Sequence, residues 1–297
     1  MRPTALRRLR ADLLDWYDRE HRSFPWRGLT DPYAVMVSEV MLQQTQASRI
    51  AERFPRFMAR FPTAEALAVA PAADLLAEWS GLGYNRRALA LQRAATAIVR
   101  DGWPDTVQAL ERLPGVGPYT ARALASLAFG IPVGVVDTNV RRWLIRRLAV
   151  ADAPMALQGA ADALAMATAD GRAADWTHAT MEFGASVCRS RAPRCGACPV
   201  AAGCPSRGVA AHVAVARQPS LRGSDRAYRG ALVRLLTHAG GEGLPEPLLR
   251  RRIAADVAVG PRLGDAPWRR VLDGLERDGL VHRADGIVRL GEATIRA

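Results

Sequence analysis

The sequence contains no lysine, although 41 of its 297 residues are basic, so every one of those residues is an arginine. Without a lysine amine the chain cannot form a Schiff base with a carbonyl or an opened sugar, which excludes that class of covalent catalyst. The excess of arginine over lysine does not by itself indicate a binding partner, because genome composition also influences this choice.

Long hydrophobic segments are absent as well. The longest nearly uncharged apolar stretch, Ala123 to Val136, has 14 residues and is interrupted by Gly130, Pro132 and Gly134. A membrane-spanning helix needs about 20 such residues. The amino terminus mixes charged residues with leucines and lacks the apolar core of a secretory signal. We therefore expect a cytoplasmic protein with no membrane partner.

Cysteine is scarce and confined to one short segment, where the spacing is C-x6-C-x2-C-x5-C. In a reducing compartment we expect no disulfides, and thiolates this close together repel one another unless a metal neutralises them. Zinc ribbons usually contain two C-x2-C pairs, whereas an iron-sulfur cube is a larger object that suits wider gaps. We predict a structural [4Fe-4S] cluster, with zinc as the alternative, bound by Cys188, Cys195, Cys198 and Cys204.

Acidic residues are too few to balance the arginines. With 29 acidic against 41 basic residues the formal charge is +12. Such an excess suits a polyanionic partner, because each neutralised phosphate releases counterions. Nucleic acid is the first candidate, and a basic protein without such a partner is the alternative. We also considered three arginines in or just after a predicted linker at 208–226. Arg222, Arg226 and Arg229 are more typical of a solvated face than of phosphate contacts.

The pattern up to about residue 144 is helical, with apolar residues three and four positions apart. Asp31-Pro32 predicts an N-cap and first-turn proline for a helix through VMVSEVMLQQ. After a predicted linker at 208–226, Asp285-Gly286 predicts the turn of a two-stranded hairpin. Three further helical stretches, at 227–238, 245–256 and 266–278, precede that hairpin. Together they indicate a winged helix or a generic small α+β module.

The segment LPGVGPYTA places Gly115 and Gly117 in a turn just before a helix that starts near Pro118. A helix amino terminus preceded by glycines exposes backbone N–H groups to an anion such as phosphate. A Pro-Gly turn between two helices is also commonplace in helical bundles. The charge and the cysteine segment favour the interpretation that this turn binds DNA.

Two carboxylates are candidate catalytic groups. Glu39 lies within an apolar helical pattern, where desolvation raises a carboxyl pKa and keeps a proton available for general acid catalysis. The alternative is a glutamate on a solvated face. Asp137 precedes a helical segment and is expected to be its N-cap. Kept ionised by N–H donors, it is suited to stabilise a cation that forms on a substrate.

LPGVGPYTA, VVDTNV and the four-cysteine segment together resemble the helix-hairpin-helix DNA glycosylases, and SEVMLQQTQ and GLGYNRRA resemble the adenine-specific MutY family in particular. The resemblance covers about residues 7–207. It implies an all-α, two-lobed glycosylase core at 1–207, followed by a small winged-helix-like α+β domain at 227–297. Within the core it implies a six-helix barrel at about 28–134, a second lobe made of the amino-terminal helix and 135–187, and a cluster loop at 188–204.

The resemblance also implies roles for individual residues. Glu39 would protonate a ring nitrogen of adenine and help position water, and Asp137 would stabilise the oxocarbenium-like sugar. Tyr119 stands where related bifunctional enzymes carry the lysine that attacks the sugar. Gln44 and Tyr84 match residues that wedge into the base stack. The pocket for the extruded adenine would be lined by Arg27, Asn139 and Glu182.

Longer members of the family end in a pyrophosphatase-like domain that inspects 8-oxoguanine in the opposite strand, and no such segment is found here. We expect a monomeric, monofunctional glycosylase that removes adenine mispaired with 8-oxoguanine or guanine from double-stranded DNA, in the nucleoid of a bacterial-type cell. One alternative is a glycosylase for thymine or uracil opposite guanine. The other is a non-catalytic DNA-binding regulator on the same scaffold.

Overall fold

A computed structural model of the chain describes residues 3–167, 171–208, 213 and 220–291. No helix in these ranges is both long and apolar enough to span a membrane. The strands are β1 (Leu244–Pro245), β2 (Val281–Ala284) and β3 (Ile287–Leu290). The helices are α1 (Pro3–Glu20), α2 (Pro32–Leu42), α3 (Ala47–Arg60), α4 (Ala64–Ala68), α5 (Ala72–Trp79), α6 (Arg86–Asp101), α7 (Val107–Leu110), α8 (Pro118–Leu127), α9 (Thr138–Leu148), α10 (Pro154–Met166), α11 (Ala173–Ser186), α12 (Asp225–Ala239), α13 (Glu246–Ala255) and α14 (Asp265–Arg277).

The chain divides into two compact units. The first contains residues 1–43, 47–55 and 103–216, and the second contains 44–46, 56–102 and 217–297. Helix α3 begins in the first unit and ends in the second. The predicted linker falls largely on residues outside the described ranges, and the limits predicted for the lobes and the carboxyl-terminal domain stay predictions.

In the described residues of the first unit all regular secondary structure is helical, and loops such as 187–194 and 198–208 join or follow the helices. Its main core is formed by α1, α9, α10 and α11, where Trp143 packs edge-on against Phe183 with ring centroids 6.0 Å apart. Helix α2 packs against α8, and α8 also contacts α11. Because these contacts converge, they bring side chains of α2, α8 and the start of α9 into one region.

The predicted helical hairpin is confirmed by α7, α8 and the turn that joins them. Gly115 adopts a φ of +76°, a left-handed conformation that favours glycine. Gly117 is the N-cap of α8 in an extended conformation. Both glycines are exposed, whereas Pro118, the first residue of α8, has no backbone N–H.

The second unit combines the α4–α6 segment with the carboxyl-terminal helices and sheet. Helix α6 packs against α4 and α5, and α12 packs against α13, α14 and also α5. The sheet is antiparallel with the order β1-β3-β2. Strand β3 contacts α5 as well. The carboxyl-terminal segment therefore packs directly on α5.

The predicted carboxyl-terminal hairpin is confirmed. Strands β2 and β3 pair from Val281–Leu290 to Ala284–Ile287. Asp285 and Gly286 form the turn with φ angles of 52° and 72°, as expected for the type I′ turn that Asp-Gly favours. Strand β1 was not predicted, because two residues are too short to show a strand periodicity.

Candidate active site

Glu39 lies in α2 with only 4% of its surface exposed. The helix begins as the sequence predicts, with Asp31 as N-cap accepting a hydrogen bond from the N–H of Ala34 at 3.1 Å. Every residue from Tyr33 to Met41 is buried, so this helix has no solvated face. The alternative of an exposed glutamate is therefore wrong.

The surroundings of Glu39 favour its protonated form. Burial, helped by the nearby charge of Asp137, raises its pKa from the ordinary 4.5 to about 7. A hydrogen bond from Tyr119 and the charge of Arg27 act in the opposite direction. Near neutral pH this carboxyl group therefore keeps a proton in a substantial part of the molecules, which suits a general acid.

The buried Glu39 makes the stability of the protein depend on pH. Its pKa is about 7 when folded and near 4.5 ordinarily, so between these pH values the folded state holds a proton that the unfolded state lacks. The free energy of unfolding therefore falls as pH rises through this window. We expect Glu39→Gln to be the more stable protein by about 3 kcal/mol above pH 7 and equal to wild type near pH 4.5. Thermal unfolding of both proteins at the two pH values measures this, and a gap independent of pH would contradict it.

Asp137 is the N-cap of α9, as predicted. Its carboxylate accepts hydrogen bonds from the N–H of Val140 at 2.6 Å and from the side-chain amide of Asn139 at 2.7 Å. Burial raises the pKa of Asp137, while these hydrogen bonds and the charge of Arg142 lower it. The two carboxyl groups interact, because the charge of Asp137 contributes to the raised pKa of Glu39.

Tyr119 is the second residue of α8, and its hydroxyl lies close enough to Glu39 to lower the pKa of that carboxyl group. The oxygen also lies 4.0 Å from the sulfur of Met181. Burial and the charges of Glu39 and Asp137 raise the pKa of Tyr119 well above 10. The phenol of Tyr119 therefore stays neutral beside the two carboxyl groups.

Arg142 connects this group to the cysteine segment. Its guanidinium donates to the side-chain oxygen of Asn139 at 2.9 Å and to the carbonyl of Cys188 at 2.7 Å, and it also bonds the carbonyl of Gly184. A Cβ at Gly184 would lie 2.6 Å from the carbonyl oxygen of Asn139, so this close approach of α9 and α11 requires glycine. Arg142 fixes the amide of Asn139 so that its NH₂ group faces Asp137.

Glu182 is fully buried and paired with two arginines. It accepts from Arg22 Nε at 2.6 Å and from Arg27 Nη2 at 2.7 Å. Arg27 also donates to the hydroxyl of Tyr17 at 2.9 Å. The charge of Arg27 affects the pKa of Glu39, so this cluster lies within electrostatic reach of the acid. No local sequence pattern singles out Arg22.

The remaining predicted DNA contacts, Gln44 and Tyr84, belong to the second unit. Both residues adopt left-handed backbone conformations, with φ angles of 56° and 48°. Such angles are uncommon for residues other than glycine and are maintained by the surrounding structure. The predicted pocket and catalytic residues, in contrast, all lie in the first unit.

All four cysteines are free thiols, partly buried, and line one cavity. Arg146, in the last turn of α9, donates to the carbonyl of Arg189 at 2.7 Å, and its Nη1 lies 3.9 Å from the sulfur of Cys188. Arg147 donates to the carbonyl of Val200 at 2.7 Å. The end of α9 therefore fixes the path of the loop.

The thiols are not suited to ionise unaided. Burial raises the pKa of Cys198 to about 11 and also raises that of Cys188, against the effect of Arg146. In the described part of the chain, no three His, Cys, Asp or Glu side chains are arranged around a single metal ion. The four thiols nevertheless face one shared cavity.

Comparison with known proteins identifies the class. Residues 37–162 match the family described as HhH-GPD superfamily base excision DNA repair protein. The chain also aligns with the solved structure of a thermostable thymine-DNA glycosylase, with 27% identity and a TM-score of 0.63 over 68% of this chain and 96% of that one.

Two curated relatives narrow the assignment. The adenine DNA glycosylase of Mycobacterium tuberculosis (strain CDC 1551 / Oshkosh) is 42% identical over 92% of this chain and 90% of its own. The adenine DNA glycosylase of Homo sapiens is 41% identical over 67% of this chain and 39% of its own. The chain therefore belongs to the family of adenine DNA glycosylases, hydrolases of base excision repair.

Proposed function

We propose that the chain is a monofunctional glycosylase that hydrolyses the N-glycosidic bond of adenine mispaired with 8-oxoguanine or guanine in double-stranded DNA. The observation that carries the proposal is the buried Glu39, with a pKa of about 7, in electrostatic contact with Asp137. A proton donor beside an anion is what departure of a base through an oxocarbenium-like state requires.

In this mechanism Glu39 gives its proton to a ring nitrogen of adenine. The bond from the base to the sugar C1′ breaks, and its electron pair leaves with the base. Asp137 stabilises the positive charge that develops on the sugar. Water held by Glu39 then adds to C1′, and one of its protons returns to the Glu39 carboxylate.

The enzyme would release the base without cutting the strand through a Schiff base. Tyr119 occupies the position where related bifunctional enzymes would carry the lysine that attacks the sugar. Its raised pKa keeps it a neutral phenol. The chain has no lysine, so no side-chain amine is present to open the sugar. Tyr119 instead positions the carboxyl group of Glu39.

The paired carboxylate of Glu182 supports a pocket for the extruded base. A carboxylate accepts hydrogen bonds, which suits the exocyclic amino group of adenine. Arg22 and Arg27 fix its orientation before the base arrives, and Asn139 lies beside Asp137. Such preformed contacts help to offset the few kcal/mol that base flipping costs.

The protein would contact both the phosphate backbone and the base stack of the DNA. The exposed turn would offer the backbone N–H groups of Gly115 and Gly117 to a phosphate. Gln44 and Tyr84 would enter the stack around the mispair, and their left-handed backbones set their direction. We further propose that the protein acts as a monomer and is cytoplasmic, in association with the nucleoid.

The four cysteines fit a [4Fe-4S] cluster better than zinc. All four line one cavity, and the wide gaps in the spacing C-x6-C-x2-C-x5-C suit a cube, which is larger than a single ion. The bound cluster would serve a structural role, joining the ends of the loop. Arg142 and Arg146 would then transmit the position of this loop to Asn139 and so to Asp137.

The carboxyl-terminal helices and sheet are proposed to be a winged-helix-like domain. Three helices and a β2–β3 hairpin, with the short β1 added to β3, support this assignment. The similarity to the mycobacterial relative extends over most of this chain, whereas the human relative matches 67% of it. We therefore propose that the carboxyl-terminal segment takes part in recognising the base opposite the adenine.

A base-release assay tests the proposed function. Duplexes carrying adenine opposite 8-oxoguanine, adenine opposite guanine, thymine or uracil opposite guanine, and paired adenine are incubated with the full chain. We expect strand breaks only after alkali and only for the two adenine mispairs. Release of thymine or uracil alone would support the alternative that the thymine-DNA glycosylase similarity raises. Sequence-dependent binding with no base release would indicate a regulator.

A further inference from the structure

The ring of Tyr84 is held by two arginines. The guanidinium carbons of Arg87 and Arg226 both lie 5.7 Å from its centroid. Arg226 Nη1 also donates a hydrogen bond of 2.8 Å to the Tyr84 hydroxyl. A charged donor bound to a phenol, combined with cation–π attraction, gives a directional contact on the ring.

The backbone of the loop reinforces this arrangement. Tyr84 has a φ of 48°, and the preceding Gly83 has a φ of 73°. The Tyr84 carbonyl accepts from the N–H of Arg87 at 2.9 Å. Arg87 in turn donates to the carbonyl of Gly83 at 3.1 Å and to the hydroxyl of Thr45 at 3.3 Å. Arg87 therefore binds the loop locally, and the hydroxyl end of the ring depends on Arg226.

Arg226 reaches Tyr84 from a distant part of the sequence, 142 residues away. It lies in the first turn of α12, whose N-cap Ser224 accepts from the N–H of Ala227 at 3.3 Å. Helix α12 packs against α5, and β3 also contacts α5. These contacts hold the backbone at Arg226 in place relative to the loop that carries Tyr84.

We propose that Arg226 is a positioning residue for Tyr84, through which the carboxyl-terminal segment sets the direction of the ring that meets the mispair. This inference rests on the proposed function, since it assumes that Tyr84 enters the base stack. The carboxyl-terminal segment would thereby take part in mispair recognition through the contact of Arg226 with Tyr84. The segment need not touch the opposite base itself.

The test is a double-mutant cycle in the full chain. Arg226→Ala removes the guanidinium, and Tyr84→Phe removes only the hydroxyl that it binds. We expect each variant to bind the duplex with adenine opposite 8-oxoguanine about tenfold more weakly. The double variant should be no weaker than Arg226→Ala, because both changes remove the same contact. Arg234→Ala, which removes an arginine of the same helix paired with Asp256, should bind like wild type.

A direct phosphate contact by Arg226 is the competing explanation. In that case Arg226→Ala would weaken binding of matched and mismatched duplexes equally and reduce the salt dependence by about one counterion. Its effect would also persist in full in the Tyr84→Phe background. Either result would overturn the proposal.

Hydrogen exchange separates this inference from the proposed function. In the free protein, Arg226→Ala should raise amide exchange in residues 81–87, while Arg234→Ala should not. If wild type releases no adenine but this exchange result holds, the proposed function fails and the contact stands. Unchanged exchange in Arg226→Ala would refute the positioning role even in an active enzyme.

Discussion

Glu39→Gln is expected to lower the single-turnover rate of adenine release by about 10³-fold, the magnitude typical of a lost general acid. Glutamine keeps the size and a hydrogen-bond acceptor for Tyr119, but it has no proton of suitable pKa to give to the base. The measurement is the release rate under saturating enzyme with adenine opposite 8-oxoguanine. Binding of that duplex should change little, because the fold and the pocket remain.

The pH profile of the wild type tests the same group independently. Only the protonated form of Glu39 donates, so the rate should fall about tenfold per pH unit above about pH 7. At acidic pH, protonation of Asp137, whose pKa is also raised, should lower the rate again. The control is Glu52→Gln, an exposed glutamate of α3, which should retain the wild-type rate and profile. A fully active Glu39→Gln would refute the acid assignment.

The features that the sequence predicted correctly are determined by a few neighbouring residues. Asp31 and Asp137 cap helices because their side chains reach N–H groups two or three residues later. Asp285-Gly286 forms its turn because both residues tolerate positive φ angles. The cysteines converge since they lie in one short loop. In each case the physical cause is local and therefore visible in the sequence.

The burial of Glu39 was also visible in the sequence, although a general preference of glutamate for the surface obscured it. Helix α2 has the sequence PYAVMVSEVML, in which only Ser38 and Glu39 are strongly polar. A helix that is apolar on all sides is buried. The surroundings of this glutamate were thus better evidence than the average behaviour of its residue type.

Arg22 and Arg142 were not predicted, and Arg226 was expected on a solvated face, because the roles of these arginines depend on distant partners. Arg22 pairs with a carboxylate 160 residues away, and Arg226 with a hydroxyl 142 residues away. Arg142 donates to a carbonyl 46 residues away. In a chain with 41 basic residues, all arginine, nothing in the local sequence distinguishes these three. Only the tertiary packing selects them.

Asp137→Asn is expected to reduce the rate of adenine release by about 10²- to 10³-fold, as for the loss of one group that stabilises a transition-state charge. Asparagine is as good an N-cap as aspartate, so the start of α9 should persist with Val140 still bonded to the side-chain oxygen. The variant therefore removes the charge and keeps the helix. Single-turnover rates measure the loss, and affinity for the mismatched duplex should change only a few-fold.

Asp31→Asn provides the matched control, since it makes the same change at the N-cap of α2. It should leave the rate unchanged, and an equal loss in both variants would attribute the effect to capping. Asp137→Asn should also move the alkaline fall of the pH profile to lower pH. The reason is that the anion at this position helps to raise the pKa of Glu39, and the neutral amide cannot. A profile that stays in place would mean that the two carboxyl groups do not act on one another during catalysis.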